Sequence, residues 1–484
     1  MRTTPSLVDI PDVEENDNIF SRIHSYDDTP ALIGKQSAVV TFDDLCAWST
    51  NILPYMEGRH LTLIICNNHI DVVSAYVTCI RANIPVILLH ESIVDEFLEE
   101  ILERFKPRYL FFPSKRELPT AVEVMNQVGM YSLGRCYDDT DYVIDRNLAL
   151  LLTTSGSTGS IKFVRISHDN LLANTADIAR TLLIDKCDRT ITMMPMSYTY
   201  GLSVINTHLF SGASIVVDEC SIVSKEFFQH IESHDVSTLN GVPFTYETLI
   251  RLKFWKKLPK SLRRMTQAGG KLKLKEFEKI SDICAELDID FYSMYGQTEA
   301  TARMSILDSG MAVEKKGSIG LAIGNGEFEL RGADGERILE PNIIGSLTYV
   351  GGNVTYGYAT GWQDLAELGD APSMLDTGDV AYFDAEGYYY IVGREKRFVK
   401  IHGNRVSLDE IEAILSGMGV ENAVLGKDDE IRVFIPERQL DVDVFKVLSK
   451  KTKIPRRIFQ VFDRNDIPRL QSGKVDYQTL ASCG

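Results

Sequence analysis

The decapeptide Thr153-Thr154-Ser155-Gly156-Ser157-Thr158-Gly159-Ser160-Ile161-Lys162 follows the apolar run Leu148 to Leu152 directly. Small residues let backbone N–H groups close on a polyphosphate, the hydroxyls donate further hydrogen bonds, and Lys162 adds positive charge. It is not a Walker loop, which needs glycine before the lysine and a hydroxyl residue after it; Ile161 and Phe163 stand there. The same residue types also make a flexible connector, and the position after a buried strand is what favours phosphate binding. A second stretch, Met294-Tyr295-Gly296-Gln297-Thr298-Glu299-Ala300, closes the strand-like run Asp290 to Ser293. There an aromatic ring can stack on a base, a threonine hydroxyl can bond a phosphate, and a carboxylate can hold magnesium; a turn with a capping threonine has the same residues. In a third, Leu375-Asp376-Thr377-Gly378-Asp379 precedes Gly393-Arg394 by 14 residues. A carboxylate at a strand edge can accept both hydroxyls of a ribose. The fourth, Pro468-Arg469-Leu470-Gln471-Ser472-Gly473-Lys474, ends ten residues before the C-terminus, where a lone lysine is otherwise a solvated side chain.

Positioning these loops requires strands that end where the loops begin. Apolar runs predict strands at Leu61 to Cys66, Ile84 to Leu89, Arg108 to Phe112, Leu148 to Thr153, Thr190 to Met194 and Ala213 to Val217, with amphipathic helices between them, including Ile70 to Asn83 and Ser92 to Phe105. Strands alternating with helices imply a parallel sheet covered on both faces, with ligands at the carboxyl ends of its strands. Beyond residue 315 the texture changes to glycine-punctuated β segments: Gly345 to Gly351, Val380 to Phe383 and Tyr388 to Val392. A short α+β stretch follows, with Leu408 to Leu415 helical and Arg432 to Ile435 a strand. The expected architecture is α/β: a large N-terminal lobe, residues 1–395, of βα-layered sheets plus a β-rich subdomain, and a small mobile α+β lobe, residues 396–484.

A chain of 484 residues exceeds what one core usually holds, so at least two are expected. The net charge of -17 argues against nonspecific nucleic-acid binding. Residues 397–484 nevertheless carry 15 Lys and Arg against 13 Asp and Glu, so the acidity lies in the rest. Eight scattered cysteines without a CxxC pair fit a reducing cytoplasm, and no apolar run approaches the length of a membrane helix. The polar, acidic residues Met1 to Asn18 resemble neither a secretory signal nor a transit peptide, and disorder is expected around Val13 to Asn18.

Taken together and in this order, the four stretches resemble the acyl-adenylate-forming superfamily of acyl-CoA synthetases, aryl-acid ligases, peptide-synthetase adenylation domains and beetle luciferases. The resemblance runs from about residue 20 and includes Gly317-Ser318-Ile319-Gly320, Gly345-Ser346-Leu347, Gly357-Tyr358 and the segment Arg397 to Val406. It implies an AMP-forming acid–thiol ligase: a small carboxylic acid attacks the ATP α-phosphate, pyrophosphate leaves, and the acyl group passes to a thiol. The acceptor is coenzyme A or the phosphopantetheine of an acyl carrier protein. Carried onto this sequence, the pattern puts Lys474 between the carboxylate and the nucleotide, Thr154, Ser155, Gly156, Ser157, Thr158, Gly159 and Lys162 on the phosphates, and Glu299 with Thr158 on magnesium. Thr298 would reach the α-phosphate, within the loop that holds Gly296 and Gln297. Tyr295 would face adenine opposite Ala268, Gly269 and Gly270, and Asp379 with Arg394 would hold the ribose. Rotation about Lys396 would then withdraw Lys474 and bring in the segment Lys400 to Gly403.

Where the family reads Pro-Lys-Gly this chain has Ile161-Lys162-Phe163, which puts the role of Lys162 in question. Met194 to Leu202 matches the start of the family's acyl-pocket helix, with Tyr198, Thr199, Val242, Phe244, Met294 and Thr301 as lining candidates that core packing explains equally well. No aspartate lies between Met193 and Leu209 to pair with an α-ammonium, which favours an acid without one. Lys446, Lys450, Lys451, Lys453, Arg456 and Arg457 form a basic stretch that suits coenzyme A phosphates, an acidic carrier protein, or simply solvent. Two alternatives stand beside the ligase: an adenylating enzyme that delivers to a carrier protein, and a catalytically idle nucleotide-binding relative.

Overall fold

The structure is a computed structural model that describes residues 18–34, 38–137, 140–153, 161–372, 374–401, 404–436, 444–469 and 474–482. Residues Thr154 to Ser160, the first 17 residues, His402-Gly403 and Leu470 to Gly473 lie outside the described residues.

Continuous apolar sequence makes the buried strands. Thr62–Cys66, Val86–His90, Tyr109–Pro113 and Leu148–Thr153 form the parallel centre of an eight-stranded sheet. Its rims are antiparallel: Phe163–Ser167 and Tyr358–Ala359 on one side, the hairpin Val122–Val128 and Tyr131–Cys136 on the other. A second, nine-stranded sheet has Pro30–Ile33, Ser214–Val216, Arg189–Ile191, Thr238–Gly241, Arg264–Gln267 and Asp290–Tyr295 in parallel. Helix Ile70–Arg81 is buried without interruption from Val72 to Ile80, because it lies between the two sheets with helices His168–Thr181 and Thr199–Phe210. The helix His168–Thr181 starts at a capping box in which Ser167 and Asn170 each satisfy the other's backbone N–H, a device that contributes about 1 kcal/mol.

Outer helices show the opposite pattern. Asp95–Phe105 buries Leu98, Ile101 and Phe105 at helical spacing against the eight-stranded sheet and turns its acidic residues outward. Lys225–Ser233, Pro243–Arg251 and Leu274–Glu286 cover the outer face of the nine-stranded sheet.

Glycine-punctuated sequence then builds an antiparallel five-stranded sheet: Arg337–Ile338, Glu327–Arg331, Gly345–Val350, Leu375–Phe383 and Tyr389–Arg394. A single 3-10 turn, Glu395–Arg397, leads from it into the C-terminal part. There a hairpin, Phe398–Ile401 with Asn404–Ser407, and a three-stranded sheet, Ala423–Lys427, Glu430–Pro436 and Phe459–Arg464, enclose their own core with helices Leu408–Ser416 and Val444–Thr452. The α/β architecture expected from the sequence, a large multi-sheet N-terminal body with a smaller β/α C-terminal part, is the one observed.

Candidate functional site

Tyr295 ends the last parallel strand of the nine-stranded sheet. The chain then folds back on itself, and Gly296 is what permits it: a Cβ there would stand 1.8 Å from the carbonyl oxygen of Ala302. The 3-10 turn Thr298–Ala300 follows, and Thr301 takes a positive φ of 63°, held by its hydroxyl donating to the Asn353 carbonyl at 2.8 Å. Thr355 donates to the Glu299 carbonyl through both its backbone N–H and its hydroxyl, at 3.0 Å each. The carboxylate of Glu299 accepts the Tyr358 O–H at 2.6 Å on Oε1. Burial and the negative charge of Glu299 raise the Tyr358 phenol, so it stays a donor.

Tyr358 also connects this turn to Lys162. Strand Tyr358–Ala359 pairs with Phe163–Ser167, and the Lys162 ammonium lies 3.9 Å from the centre of the Tyr358 ring. The missing family glycine has a structural cause. Phe163 is fully buried, edge-on to Phe105 at 4.9 Å, and Ile161 is buried in the same cluster. Lys162, just before the strand and between these two buried side chains, is half-buried and turned to the Tyr358 ring instead.

Asp379 sits within strand Leu375–Phe383, directly across from Arg394 of strand Tyr389–Arg394, and so at an interior position of its sheet rather than an edge. Its side chain is 3% exposed; Arg394 Nε meets Oδ1 at 2.8 Å and the Tyr295 hydroxyl donates to Oδ2. Burial raises the Asp379 carboxyl, against which Arg394 and the Tyr295 hydroxyl act. Burial and the neighbouring Asp379 charge likewise push the Tyr295 phenol well up.

From the C-terminal part comes Lys474. The residue is half-buried and its pKa is lowered, first by burial and then by Arg394, while Glu299 and Asp379 pull the other way. Arg394, Asp379, Lys474 and Glu299 thus act on one another in one region, with Lys162 joined to Glu299 through Tyr358.

Ala268 to Gly270 follow strand Arg264–Gln267, and Gln267 Nε2 gathers that loop by donating to the carbonyls of Ala268 and Gly270 at 3.2 and 2.8 Å. Gly269 has a φ of 83° and lies so close to Tyr198 that a Cβ would stand 2.5 Å from its hydroxyl. Tyr198, Val242, Ala268 and Met294 share one cluster with Met194 and Tyr200. Thr199 begins the helix and its hydroxyl donates to the Thr301 carbonyl. Phe244 is not with them; it is 47% exposed on helix Pro243–Arg251. Lys396 is exposed on the 3-10 turn, and Thr298 and Gln297 are half-buried. Thr154, Ser155, Gly156, Ser157, Thr158 and Gly159 lie outside the described residues.

Residue reasoning missed Thr355, Asn353 and Arg303, which fix the Glu299 turn from behind. For Arg303 there was a signal, a lone cation between Ala302 and Met304 on the way into a strand.

The family model described as AMP-binding enzyme matches residues 25–359. A 2-succinylbenzoate–CoA ligase from Bacillus pumilus is 27% identical over 374 residues, 75% of this chain and 74% of that protein. The o-succinylbenzoate CoA synthetase of Bacillus subtilis, in complex with its acyl-adenylate intermediate, superposes with a TM-score of 0.78 at 22% identity, covering 97% of this chain and 98% of that one. The same synthetase in complex with ATP and a magnesium ion gives 0.73 at 22% identity, covering 95% and 98%. These two likenesses speak to the fold.

Proposed function

Because the chain belongs to the AMP-binding enzyme family, we propose that it condenses a small carboxylic acid with ATP to an acyl-adenylate and transfers the acyl group to a thiol. In the first step a carboxylate oxygen attacks the α-phosphorus, the bond to the bridging oxygen breaks, and pyrophosphate leaves. Two anions must meet, so the largest catalytic contribution is fixed positive charge where they do. Lys474 is suited to it, and the single observation that carries the reading is that this lysine, from the C-terminal part, stands within electrostatic reach of Glu299, Asp379 and Arg394 of the N-terminal body.

Asp379 would exchange the Tyr295 O–H on Oδ2 for ribose hydroxyls, with Arg394 keeping it charged. Tyr295 would then lie along adenine opposite Ala268 to Gly270. Glu299 offers a hard oxygen of the kind magnesium takes, steadied by Tyr358; magnesium, when bound, neutralises part of the polyphosphate charge. Lys162, carried by the Tyr358 ring, and the loop Thr154 to Gly159 would hold the β- and γ-phosphates, with Thr158 near the metal.

In the second step the thiol sulfur attacks the acyl carbon and AMP departs with its bonding electrons. Lys474 would leave to admit the thiol, through a rotation of the C-terminal part about Lys396. Coenzyme A is the favoured acceptor, since the relatives are named as CoA ligases; a carrier-protein phosphopantetheine is the other. No helix among the described residues is long and apolar enough to cross a membrane; the scattered cysteines without a CxxC pair suit a reducing cytoplasm.

The test is pyrophosphate exchange over a panel of aliphatic, hydroxy and aryl acids, with products resolved by chromatography. AMP and pyrophosphate are expected; ADP and phosphate would reject the reading. Lys474→Ala should lower exchange by about 10²–10³-fold while thiolysis of synthetic adenylate stays nearly unchanged.

A further inference from the structure

Arg303 precedes strand Ser305–Leu307 and is 2% exposed. Its main chain is clamped: Asn174 Nδ2 donates to its carbonyl at 2.7 Å, Asn353 Nδ2 to the same oxygen at 3.3 Å, and its own N–H reaches Asn174 Oδ1 at 3.4 Å. Its side chain has no such account. Among the described residues Nε, Nη1 and Nη2 all lack a hydrogen-bond partner, and the guanidinium rests 5.0 Å from the centre of the Tyr200 ring. Burial lowers its pKa only to about 10, so it is a cation at neutral pH.

The neighbouring polar groups do not neutralise it. His208, two turns along the helix from Tyr200, is pushed down to about 4 and is therefore neutral. Its Nδ1 bonds the Val204 carbonyl at 2.8 Å, which leaves Nε2 an acceptor without charge. Asp188, the carboxylate that acts on His208, is already committed to Arg264 at 3.1 Å, Arg263 at 2.9 Å and the Ser237 hydroxyl at 2.7 Å. A buried guanidinium with five donors in a planar fork is normally paired with a carboxylate or phosphate. Its position decides what could pair with it: the Tyr200 ring belongs to the same cluster as Tyr198, Met194, Val242 and Met294, where the proposed acyl group would lie.

We infer that the acid this enzyme activates is a dicarboxylic acid, whose distal carboxylate accepts hydrogen bonds from the Arg303 guanidinium beside Tyr200 while the other carboxylate is adenylated. The inference rests on the acid-activating reading above and deepens it. A site that leaves a charge unpaired against the wrong ligand discriminates far more strongly than an apolar one.

Two readouts separate the ideas. In the absence of ATP, thermal stabilisation of the full-length enzyme by succinate, glutarate and phthalate is compared with that by butyrate, valerate and benzoate, and with the monomethyl ester of each diacid. Only the diacids are expected to raise the melting temperature, and Arg303→Gln should abolish that rise. In pyrophosphate exchange, kcat/KM for the best diacid should exceed its monoester by about a hundredfold, and Arg303→Lys, which keeps charge but loses the fork, should retain part of that preference. Equal stabilisation and equal exchange by diacid and monoester would overturn the inference, and this wild-type comparison holds even if Arg303→Gln does not fold. Diacid-specific stabilisation without exchange for any acid would uphold the anion site and count against acid activation instead.

Discussion

Lys474 can neutralise two approaching anions only while it is protonated, and its surroundings work against protonation. Burial and Arg394 lower its pKa, with Glu299 and Asp379 offsetting part of the effect. The sign follows: a lysine with a depressed pKa is charged below it and neutral above, so adenylation loses its cation as pH rises. Because kcat/KM reports the free enzyme, the pH profile of pyrophosphate exchange should show an alkaline descending limb below the ordinary lysine value of about 10.4. Lys474→Arg, slower in absolute rate but protonated throughout that range, should lose the limb. An identical limb in that variant would assign the titration to another group. Ile161 and Phe163 likewise act through burial. Their burial in the cluster that holds Phe105 pins the chain on both sides of Lys162 where a glycine would leave backbone freedom, and the Tyr358 ring receives the ammonium.

At the scale of elements, the turn Thr298–Ala300 is shaped by contacts distant in sequence. Its carbonyls are held by Asn353 and Thr355, and its return path passes so close to Gly296 that a side chain there meets the backbone of Ala302 and Arg303. Gly296→Ala should therefore displace Thr298 and Glu299, reduce exchange by at least tenfold, and lower stability by about 1–3 kcal/mol as an overpacking change. Gly357→Ala is the control: its φ of 72° brings strain, but nothing lies within 4 Å of the added carbon, so a loss of about 1 kcal/mol with nearly normal kcat is expected. Chemical denaturation and exchange assays on both variants check this. These dependencies mark the limit of what the sequence shows. Leu148–Thr153 and Ile70–Arg81 are legible because burial on all sides leaves a continuous apolar run. The hairpin Val122–Val128 with Tyr131–Cys136 is not, since its first strand is half-exposed without alternation. The pairing of Pro30–Ile33 with Ser214–Val216 joins segments far apart, which no local pattern encodes. Of the candidate site, Tyr295 and Glu299 stand out by residue type at a strand end, whereas Asp379 reads as a strand-edge carboxylate and lies inside its sheet, paired with Arg394. The role of Tyr358 in bridging Glu299 and Lys162, and the solitary charge of Arg303, emerge only from packing.

For the whole molecule, the question is how the C-terminal part could deliver Lys474 and later remove it. On the body side of the connection, Arg394 is held by Asp379. On the other side, Arg397 is bound into the C-terminal part by Asp409 and by Glu412 at 2.7 Å, and stacks on Tyr477 at 4.2 Å. Glu395 accepts the Ser346 hydroxyl of the body, so between the anchored residues Lys396 is what remains to absorb a rotation, which is the physical basis for a pivot there. In the present arrangement the two parts also touch directly: Arg394 N–H donates to Asp409 Oδ2 at 3.0 Å, and a Cβ on Gly393 would stand 2.9 Å from the Ser407 hydroxyl. A Cβ that close to the γ atom opposite is within reach of a cross-link whose S–S bond is about 2.05 Å. Gly393→Cys combined with Ser407→Cys should, when oxidised, fix the C-terminal part with Lys474 at the nucleotide site. Single-turnover adenylate formation should then persist within about threefold, allowing for the lost Ser407 cap, while thioester formation from preformed adenylate should fall by at least tenfold and return on reduction. That pattern is the inverse of the one expected for Lys474→Ala, so the two variants together separate the halves of the reaction. If the oxidised enzyme instead carries out both halves at the reduced rate, the thiol enters without rotation at Lys396, and Lys474 must be compatible with both steps in one arrangement.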